Sequence, residues 1–356
     1  MQKERSCPFG KRVSMKRERL GSRMGFIMLS AGCAIGCGNV WKFPWMCGQN
    51  GGGSFMLVYF ICLIVLGIPA MVMEFSVGRA AQTSPVRMYR RLEKPGQKWH
   101  IHGWFCLLGC VMLMMYYTTV TGWMVSYFGK FLIGTFHAGM STEEASGVFG
   151  TMLSQPGKMA FWTEVVVIAG FLVCSFGLQN GLERVSKVMM LALLGLILIL
   201  AVHSLTLSGA AEGMKFYLLP SAKSIEQYGL GTIITGAMNQ AFFTLSLGIA
   251  SMEIFGSYTA KTHTLPGEAV RICALDTFVA LMAGTIIFPA CFTFGVTPDN
   301  GPSLIFQTLP PVFINMAGGR FWGALFFRFM IFASFSTVLA VFENILAICM
   351  DTFGIS

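Results

Sequence analysis

Charged residues are scarce in this sequence. Asp, Glu, Lys and Arg make up 12% of its 356 residues, whereas hydrophobic residues make up 54%. A soluble domain carries about 25% charged residues, and one soluble core of this size could not hide so much apolar surface. The sequence also lacks Cys-x-x-Cys, His-Glu-x-x-His and Gly-x-Ser-x-Gly motifs. These absences argue against a soluble protein, a zinc site and an intramembrane enzyme, and favour an all-α polytopic membrane protein.

The positions of the eleven cysteines do not indicate a disulfide framework. None lies between residues 131 and 160, the longest predicted external loop. Cysteines inside apolar runs behave as small buried hydrophobic residues. The N-terminus also lacks the small-residue cleavage motif of a signal peptide. We therefore expect a multi-pass protein of the cell membrane, and the missing loop disulfide favours a prokaryotic inner membrane.

The net charge of +9 is concentrated beside the apolar runs. Eight basic residues precede the first run, and six more lie between Arg79 and Lys98. Basic residues next to membrane spans collect on the cytoplasmic side. With both ends inside, 18 of the 25 basic residues fall there. This pattern argues against nucleic-acid binding and predicts that residues 1–21 form a basic cytoplasmic segment, with a lipid bilayer around the rest.

Eight apolar runs are long enough to cross a bilayer as helices. They cover about 22–46, 52–78, 100–130, 161–178, 184–206, 229–258, 268–297 and 320–350. The first and sixth contain glycine and small polar residues in their middles, which indicates broken helices around a midplane site. Close packing of unbroken helices through small residues is the alternative interpretation.

The paired breaks divide residues 22–356, predicted to be one transporter domain, into two inverted repeats. The first repeat covers about 22–206 and the second about 229–356. A five-plus-five repeat requires ten spans, so the second repeat is predicted to be incomplete. We therefore expect a truncated chain or an incomplete gene product, and a non-transporting fragment is the principal rival function. The sequence does not determine the oligomeric state.

Several segments resemble the neurotransmitter:sodium symporter family, in the expected order from about residue 17 to residue 351. They are Ser22–Phe26, Gly36–Pro44, Asn50–Phe55, Gly67–Pro69, Tyr116–Tyr117, Gln240–Ser246 and Gly256–Tyr258. The resemblance implies the leucine-transporter fold with helices 1 and 6 broken. It also implies secondary transport, in which sodium entry drives the uptake of an amino acid or amine.

Two sodium sites are implied by the resemblance. The first falls on Ala34, Asn39, Thr244 and Asp276, and the second on Gly32, Ile35, Ala333, Ser336 and Thr337. Hard cations bind oxygen ligands, and carbonyl groups freed by a helix break supply them. Outside the family pattern, the hydroxyls of Ser336 and Thr337 would be interpreted as helix-packing or backbone-bonding groups.

Asp276 is an ionisable residue inside a predicted span, which makes it a functional candidate. The family positions around a bound chloride correspond to Tyr59, Gln240, Thr244 and Ser246 in this sequence. Because Asp276 supplies a negative charge there, we expect chloride-independent transport. Asp276 is also a candidate to take up a proton on the return step, and a carboxylate merely paired with a neighbouring donor is the alternative.

The resemblance carries substrate binding onto a set of residues from several spans. The set is Cys33, Ala34, Cys37, Gly38, Leu113, Tyr117, Phe243, Thr244, Ser246, Ile249, Thr337 and Val341. Tyr117 matches the tyrosine that binds the substrate carboxylate. Monoamine carriers place an aspartate where this chain has Gly36, so the sequence favours an amino acid. The apolar lining predicts a leucine-like, methionine-like or aromatic substrate, unless these residues are ordinary helix packing.

Gating positions are also implied by the resemblance. They are Arg17, Lys42, Tyr117, Phe243, Ser257, Tyr258 and Asp351. Phe243 and Tyr117 would close above the substrate, while Arg17 and Asp351 would form an inner ion pair. Glu253, for which the family pattern offers no match, is a candidate to line the cytoplasmic exit or relay protons. An ion channel is a further rival, since broken helices also permit one.

Overall fold

The computed structural model describes residues 20–137, 139–259, 264–295 and 304–353. Arg17 lies outside the described residues. Within these ranges the first eight helices are α1 (Arg23–Ala34), α2 (Phe43–Gln49), α3 (Gly53–Cys62), α4 (Ile68–Ala81), α5 (Pro85–Leu92), α6 (His100–Ile133), α7 (Thr142–Leu153) and α8 (Pro156–Ser175). The others are α9 (Arg184–Leu205), α10 (Ala210–Leu218), α11 (Ala222–Tyr228), α12 (Leu230–Thr244), α13 (Ser251–Ser257), α14 (Leu265–Phe294), α15 (Leu309–Ile314) and α16 (Gly319–Phe353).

Four short π-helical segments adjoin these helices. They are π1 (Gly38–Lys42), π2 (Leu63–Gly67), π3 (Leu178–Glu183) and π4 (Leu304–Thr308). A π-helical turn contains one more residue than an α-helical turn and is frequent at functional sites. π2 lies between α3 and α4 and joins them into one continuous helix. π3 directly precedes α9 and lengthens it at its N-terminal end.

Seven of the eight predicted spans are found among the described residues, in the expected order. Six continuous helices in the described ranges are long and apolar enough to cross a bilayer: Gly53–Ala81, His100–Ile133, Pro156–Ser175, Leu178–Leu205, Leu265–Phe294 and Gly319–Phe353. A seventh span consists of α1 and the segment Gly38–Gln49, which meet at 52°. The remaining predicted span, 229–258, consists of α12 and α13. The prediction of an all-α polytopic bundle is confirmed.

Both predicted breaks are present, so the alternative of unbroken helices packed through small residues is wrong. α1 ends at Ala34, and Ile35 has extended backbone angles. α12 ends at Thr244, and six residues separate it from α13. In this second break φ is +52° at Ser246, +87° at Gly248 and +60° at Ala250. The left-handed region disfavours any residue with a Cβ by about 1–2 kcal/mol.

The starts of three spans are held together at one end of the bundle. The Ser22 hydroxyl donates to Glu183 at the end of π3 (2.9 Å), and Lys187 pairs with the same carboxylate (2.6 Å). Arg23, the first residue of α1, pairs with the fully buried Glu268 of α14 (2.6 Å). A buried charge that is paired and hydrogen-bonded avoids the cost of an unpaired one. These contacts fix the entry of α1 beside α9 and α14.

α16 packs both against other long helices of the bundle and against the first break. It packs along α6 and α9 and crosses α1. An aromatic cluster stabilises its contact with α6, because Tyr127 lies 5.1 Å from both Phe306 and Phe327, measured between ring centroids. The Tyr127 hydroxyl also donates to the Phe306 carbonyl (3.0 Å). This packing positions the middle of α16 against α1.

Candidate substrate and ion sites

A cavity of about 400 Å³ opens between α1, α6 and the break of the sixth span. Nine of the predicted substrate residues line it: Cys33, Ala34, Gly38, Leu113, Tyr117, Phe243, Ser246, Ile249 and Thr337. Its volume lies in the range of small-molecule sites, which are mostly apolar with a few polar groups. The cavity is therefore large enough for an amino acid.

Four other lining residues were not identified from the sequence: Gly109, Met112, Tyr116 and Leu247. Three of them lie on α6 next to the predicted residues Leu113 and Tyr117. Residues three and four apart share one face of a helix. Extending the α6 face by this spacing would have found them.

Three predicted substrate residues do not line the cavity. Cys37 is buried, and it is its backbone N–H that contributes, by donating to the Tyr117 hydroxyl (2.7 Å). Thr244 is buried with its hydroxyl directed to Asp276. Val341 is fully buried in α16, one turn beyond Thr337. Val341 therefore lies outside the cavity, which ends at the level of Thr337.

Gly36 allows three groups to converge at the first break. A Cβ at this position would overlap the Tyr117 hydroxyl and lie 2.5 Å from Thr337 Oγ1. Tyr117 is buried, and its hydroxyl accepts from the Cys37 N–H. A carboxylate side chain at position 36 would therefore require Tyr117 and Thr337 to move.

Asp276 lies at the centre of the first predicted sodium site. Asn39 Nδ2 donates to Asp276 Oδ1 (2.7 Å) and to its backbone carbonyl (3.1 Å). Thr244 Oγ1 donates to the other carboxylate oxygen (3.1 Å), and all three side chains are fully buried. Ala34 ends α1 and lines the adjacent cavity. The arrangement brings together one negative charge and several oxygens, as a hard cation requires.

The second predicted sodium site consists of five oxygens from α1 and α16. Ser336 Oγ lies 2.9 Å from the Ala333 carbonyl and 3.4 Å from the Ile35 carbonyl. Thr337 Oγ1 lies 3.3 Å from the Gly32 carbonyl. Both hydroxyl residues are buried. Carbonyl groups released by the end of α1 therefore face two hydroxyls in a region without solvent.

The residues at the predicted chloride positions are divided between two places. Gln240 is buried and donates to the Gly38 carbonyl (3.0 Å), and Tyr59 is fully buried against Phe43, with ring centroids 4.9 Å apart. Ser246, in contrast, lines the substrate cavity and donates to the Cys33 carbonyl (3.0 Å). The left-handed backbone at Ser246 directs its hydroxyl toward α1. This hydrogen bond stabilises the cavity wall.

Phe243 and Lys42 meet at the rim of the cavity. The Lys42 ammonium lies 3.3 Å from the centroid of the Phe243 ring, which is a cation–π contact. The ring rests on Gly38, where a Cβ would approach it to 2.9 Å. Tyr117 also lines the cavity but lies against Cys37. Any movement of Phe243 is thus coupled to Lys42.

The predicted inner gate positions lie where α13, α16 and the loop before α5 meet. The Tyr258 hydroxyl donates to Glu343 (2.6 Å), and Ser257 donates to the Ile254 carbonyl (2.6 Å). Asp351 accepts from the Ser84 N–H (2.6 Å). Glu343 was not singled out by the sequence, because α16 is apolar on most of its faces and its charged positions carry no recognisable spacing.

The second break is held by polar groups on both sides. Glu74 of α4 accepts from the Gly248 N–H (2.7 Å). Asn344 of α16 donates to the Ile249 carbonyl (3.1 Å), as does the Cys110 thiol (3.3 Å). Unpaired backbone groups are costly at membrane depth, so these side chains replace the missing helical hydrogen bonds.

Comparison with known proteins decides the family. Residues 17–142 and 136–356 match the sodium:neurotransmitter symporter family. The chain belongs to this family. A sodium-dependent transporter of Bacillus subtilis, YhdH, is 37% identical over 92% of the chain and 71% of the relative. A sodium-dependent transporter of Haemophilus influenzae is 32% identical over 93% of the chain and 73% of the relative.

A solved structure gives the same result for the fold. The crystal structure of MhsT in complex with L-phenylalanine is similar with a TM-score of 0.87 and 35% identity, over 96% of this chain and 76% of MhsT. This confirms the family resemblance and the leucine-transporter type of fold that the sequence predicted. The family's members are transporters, so the chain is a sodium-dependent membrane transporter by family and not an enzyme.

Proposed function

We propose that the chain is a sodium-coupled symporter for a hydrophobic or aromatic amino acid. The observation that carries the proposal is the mostly apolar cavity beside two oxygen clusters at the first break. The Tyr117 hydroxyl and the N–H groups near Cys37 would hold the substrate carboxylate, while the positive end of a half-helix favours that charge. The similar structure of MhsT holds L-phenylalanine, which agrees with the apolar lining.

Two sodium ions are proposed to bind at the two clusters. The cluster of Asn39, Thr244 and Asp276 includes a formal charge, and its ion would lie next to the cavity wall at Ala34. The cluster of Ser336 and Thr337 contains only neutral oxygens and would join α1 to α16. Binding of the ions would thus order the first break and favour substrate binding, which couples the two.

Transport is proposed to be independent of chloride. Asp276 is fully buried and forms no ion pair with Lys or Arg among the residues that the structure describes. Its carboxylate would compensate the sodium charge that an external chloride compensates elsewhere. The same carboxylate is the candidate to accept a proton after sodium leaves.

The end of the bundle at which α1 begins is proposed to face the cytoplasm. Basic residues collect there, both in the loop around α5 and at Arg23, Lys187 and Arg271. Phe243 and Lys42 would then close the cavity from outside. Ser257, Tyr258 and Asp351 would close the inner side with Arg17, in a cell membrane of multi-pass topology.

Uptake of radiolabelled amino acids into proteoliposomes tests the symport proposal. We expect saturable uptake of phenylalanine, leucine or methionine that requires an inward sodium gradient. Glycine and a monoamine should not compete. Sodium-independent leak of ions without saturable uptake would instead indicate a channel, and specific binding without uptake would indicate a chain that binds but does not transport.

Replacing chloride by gluconate tests the role of Asp276. Wild-type uptake should be unchanged, because the carboxylate supplies the negative charge. Asp276→Asn should lose most sodium-driven uptake in gluconate and recover part of it in chloride. Glu226→Gln, on the exposed helix α11, is the matched loss of one carboxylate and should behave as wild type. A chloride requirement in the wild type would contradict the proposal.

A further inference from the structure

Glu253 is buried in the first turn of α13, and half of its carboxylate lacks a partner. The residue is 4% exposed. Its Oε1 accepts a hydrogen bond from the Tyr89 hydroxyl of α5. Within the described ranges, Oε2 has no hydrogen-bond partner. Burying a carboxylate that is not fully paired is costly, and neither the substrate cavity nor the sodium clusters use this one.

A second carboxylate, that of Glu74 on α4, lies close to the first. Its Oε1 accepts from the Gly248 N–H (2.7 Å), and its Oε2 is shielded from solvent and unpartnered among the described residues. Glu74 lies one turn before Gly78 on α4, and Gly78 packs directly against the backbone of Glu253. The two helices come this close because Gly78 lacks a Cβ, which would overlap the Glu253 carbonyl.

No Lys or Arg in the described part of the chain forms an ion pair with either carboxylate. The titratable and polar groups that the surrounding helices present are Glu74 from α4, Tyr89 from α5, His102 and Cys106 from α6, Cys33 from α1, and Glu343 and Asn344 from α16. None of these carries a fixed positive charge. Among the described residues, the two carboxylates therefore have no permanent cation as an ion-pair partner.

Two neighbouring carboxylates in such a region cannot both stay charged at low cost. A proton is the ligand that neutralises them without requiring space. We propose that Glu253 and Glu74 form a shared proton-binding site beneath the second break, separate from the sodium clusters and from Asp276. Oε2 of Glu253 is the open atom, so a proton bound there leaves Oε1 free to keep its hydrogen bond from Tyr89.

Tyr89 lies between this site and the exposed residue His102. The Tyr89 ring is half-buried and meets the His102 ring edge-on, with centroids 5.0 Å apart and an interplanar angle of 83°. His102 is exposed near the start of α6. With the orientation proposed above, Tyr89 and His102 lie on the cytoplasmic side of the site.

The proton controls how firmly the second break is held. When both carboxylates are charged, Glu74 and Glu253 repel each other and α4 and α13 are driven apart. When the proton is bound, the hydrogen bonds to Gly248 and Tyr89 are kept without that repulsion. Loss of the proton should thus favour opening at this end of the bundle. The proposal holds for any substrate of the transporter.

Infrared difference spectra of the purified chain in lipid test the site directly, through the C=O stretch of protonated carboxylic acids. Between about pH 5 and about pH 9, we expect a band in the wild type that disappears at alkaline pH. The part of this band that belongs to the site should be missing in Glu253→Gln. Glu226→Gln, on exposed α11, is the matched control and should keep the band in full.

A second variant makes the test independent of whether Glu253→Gln folds. Tyr89→Phe removes a donor that favours the charged carboxylate, so the band should persist to a pH about one unit higher. A band unaltered by Glu253→Gln, or a titration unaltered by Tyr89→Phe, overturns the proposal. The spectra need neither sodium nor substrate, so this failure is distinguishable from a failure of the symport proposal.

Discussion

The two helix breaks differ in the side chains that meet their free backbone groups and in their backbone angles. At the first break, the carbonyls of Gly32 and Ile35 face hydroxyls of α16 in a buried space. At the second break, the N–H of Gly248 is held by the carboxylate of Glu74. The second break also contains three residues with positive φ, one of them Ala250, whereas residues 35–37 contain none.

This difference suggests a different function for each break. Carbonyls next to hydroxyls attract cations and stay satisfied when no ion is present, because the hydroxyls donate to them. Backbone strain persists only where the surroundings hold it, and it is typical of switching segments. The first break is therefore suited to bind ions, and the second to move.

Gly36→Ala should have the largest effect, because it closes the space in which the first break meets Tyr117 and Thr337. Its Cβ would overlap one hydroxyl and lie 2.5 Å from the other. Overpacking costs about 1–3 kcal/mol, so we expect phenylalanine binding to weaken about a hundredfold in a scintillation proximity assay. Gly129→Ala, at a helical position with no atom within 4 Å of the new Cβ, should bind normally. Equal binding by the two variants would disprove the role of Gly36.

Thr337→Val should weaken sodium binding about tenfold, since it keeps the shape of the side chain but removes an oxygen ligand, worth about 1.5 kcal/mol. The measurement is the sodium concentration that gives half-maximal substrate binding. Thr119→Val is the matched control, because its hydroxyl donates only to the Met115 carbonyl of its own helix. A sodium dependence that Thr337→Val leaves unchanged would contradict the second sodium site.

Gly248→Ala should destabilise the second break by about 1 kcal/mol through backbone strain alone. Its φ is +87°, and no atom lies within 4 Å of the added Cβ. Gly195→Ala, in α9 and equally open, should be neutral or slightly stabilising. Thermal unfolding in detergent separates the two variants, and uptake by Gly248→Ala should fall a few-fold. Identical Tm values would show that the second break is not strained at this residue.

Glu93→Gln should have the smallest effect, because Glu93 is remote from both breaks. A hydrogen bond from His100 lowers the pKa of Glu93 below its usual value. A lowered carboxyl pKa stabilises the fold above the unfolded-state pKa, and the gain is lost as the pH falls through the folded-state value. We expect a slightly lower Tm than wild type near pH 7 and no difference once the pH lies below the folded-state pKa of Glu93. Altered sodium or substrate binding would mean that this loop influences the breaks.

The sequence predicted those features that short local patterns encode. The run from Ala31 to Asn39 is rich in glycine and small residues, and the helix does break there. The residues of both oxygen clusters were implied by the family resemblance, and the structure places them together. Their binding of sodium is a proposal that the experiments above address.

The contacts that the sequence did not reveal depend on the rotation of long helices. Glu343 lies in α16, which is apolar on nearly all faces, so periodicity indicates no direction for it. The π-helical turns add to this, because one extra residue rotates all later side chains by about 100° relative to an α-helix. Cys37 differs for another reason, because its backbone N–H rather than its side chain contacts Tyr117 at the cavity.

Because α16 is long, a small tilt beside the first break produces a large displacement at the end of the helix. Thr337 lies near the middle of this helix, and Asp351, which accepts from the Ser84 N–H at 2.6 Å, lies near its end. At 1.5 Å per residue, the two are about 21 Å apart along the axis. A tilt of about 5° at the level of Thr337 would displace Asp351 by about 2 Å, enough to break its hydrogen bond. If a sodium ion at the proposed second site tilts α16, the displacement is therefore expected at Asp351, close to the membrane surface.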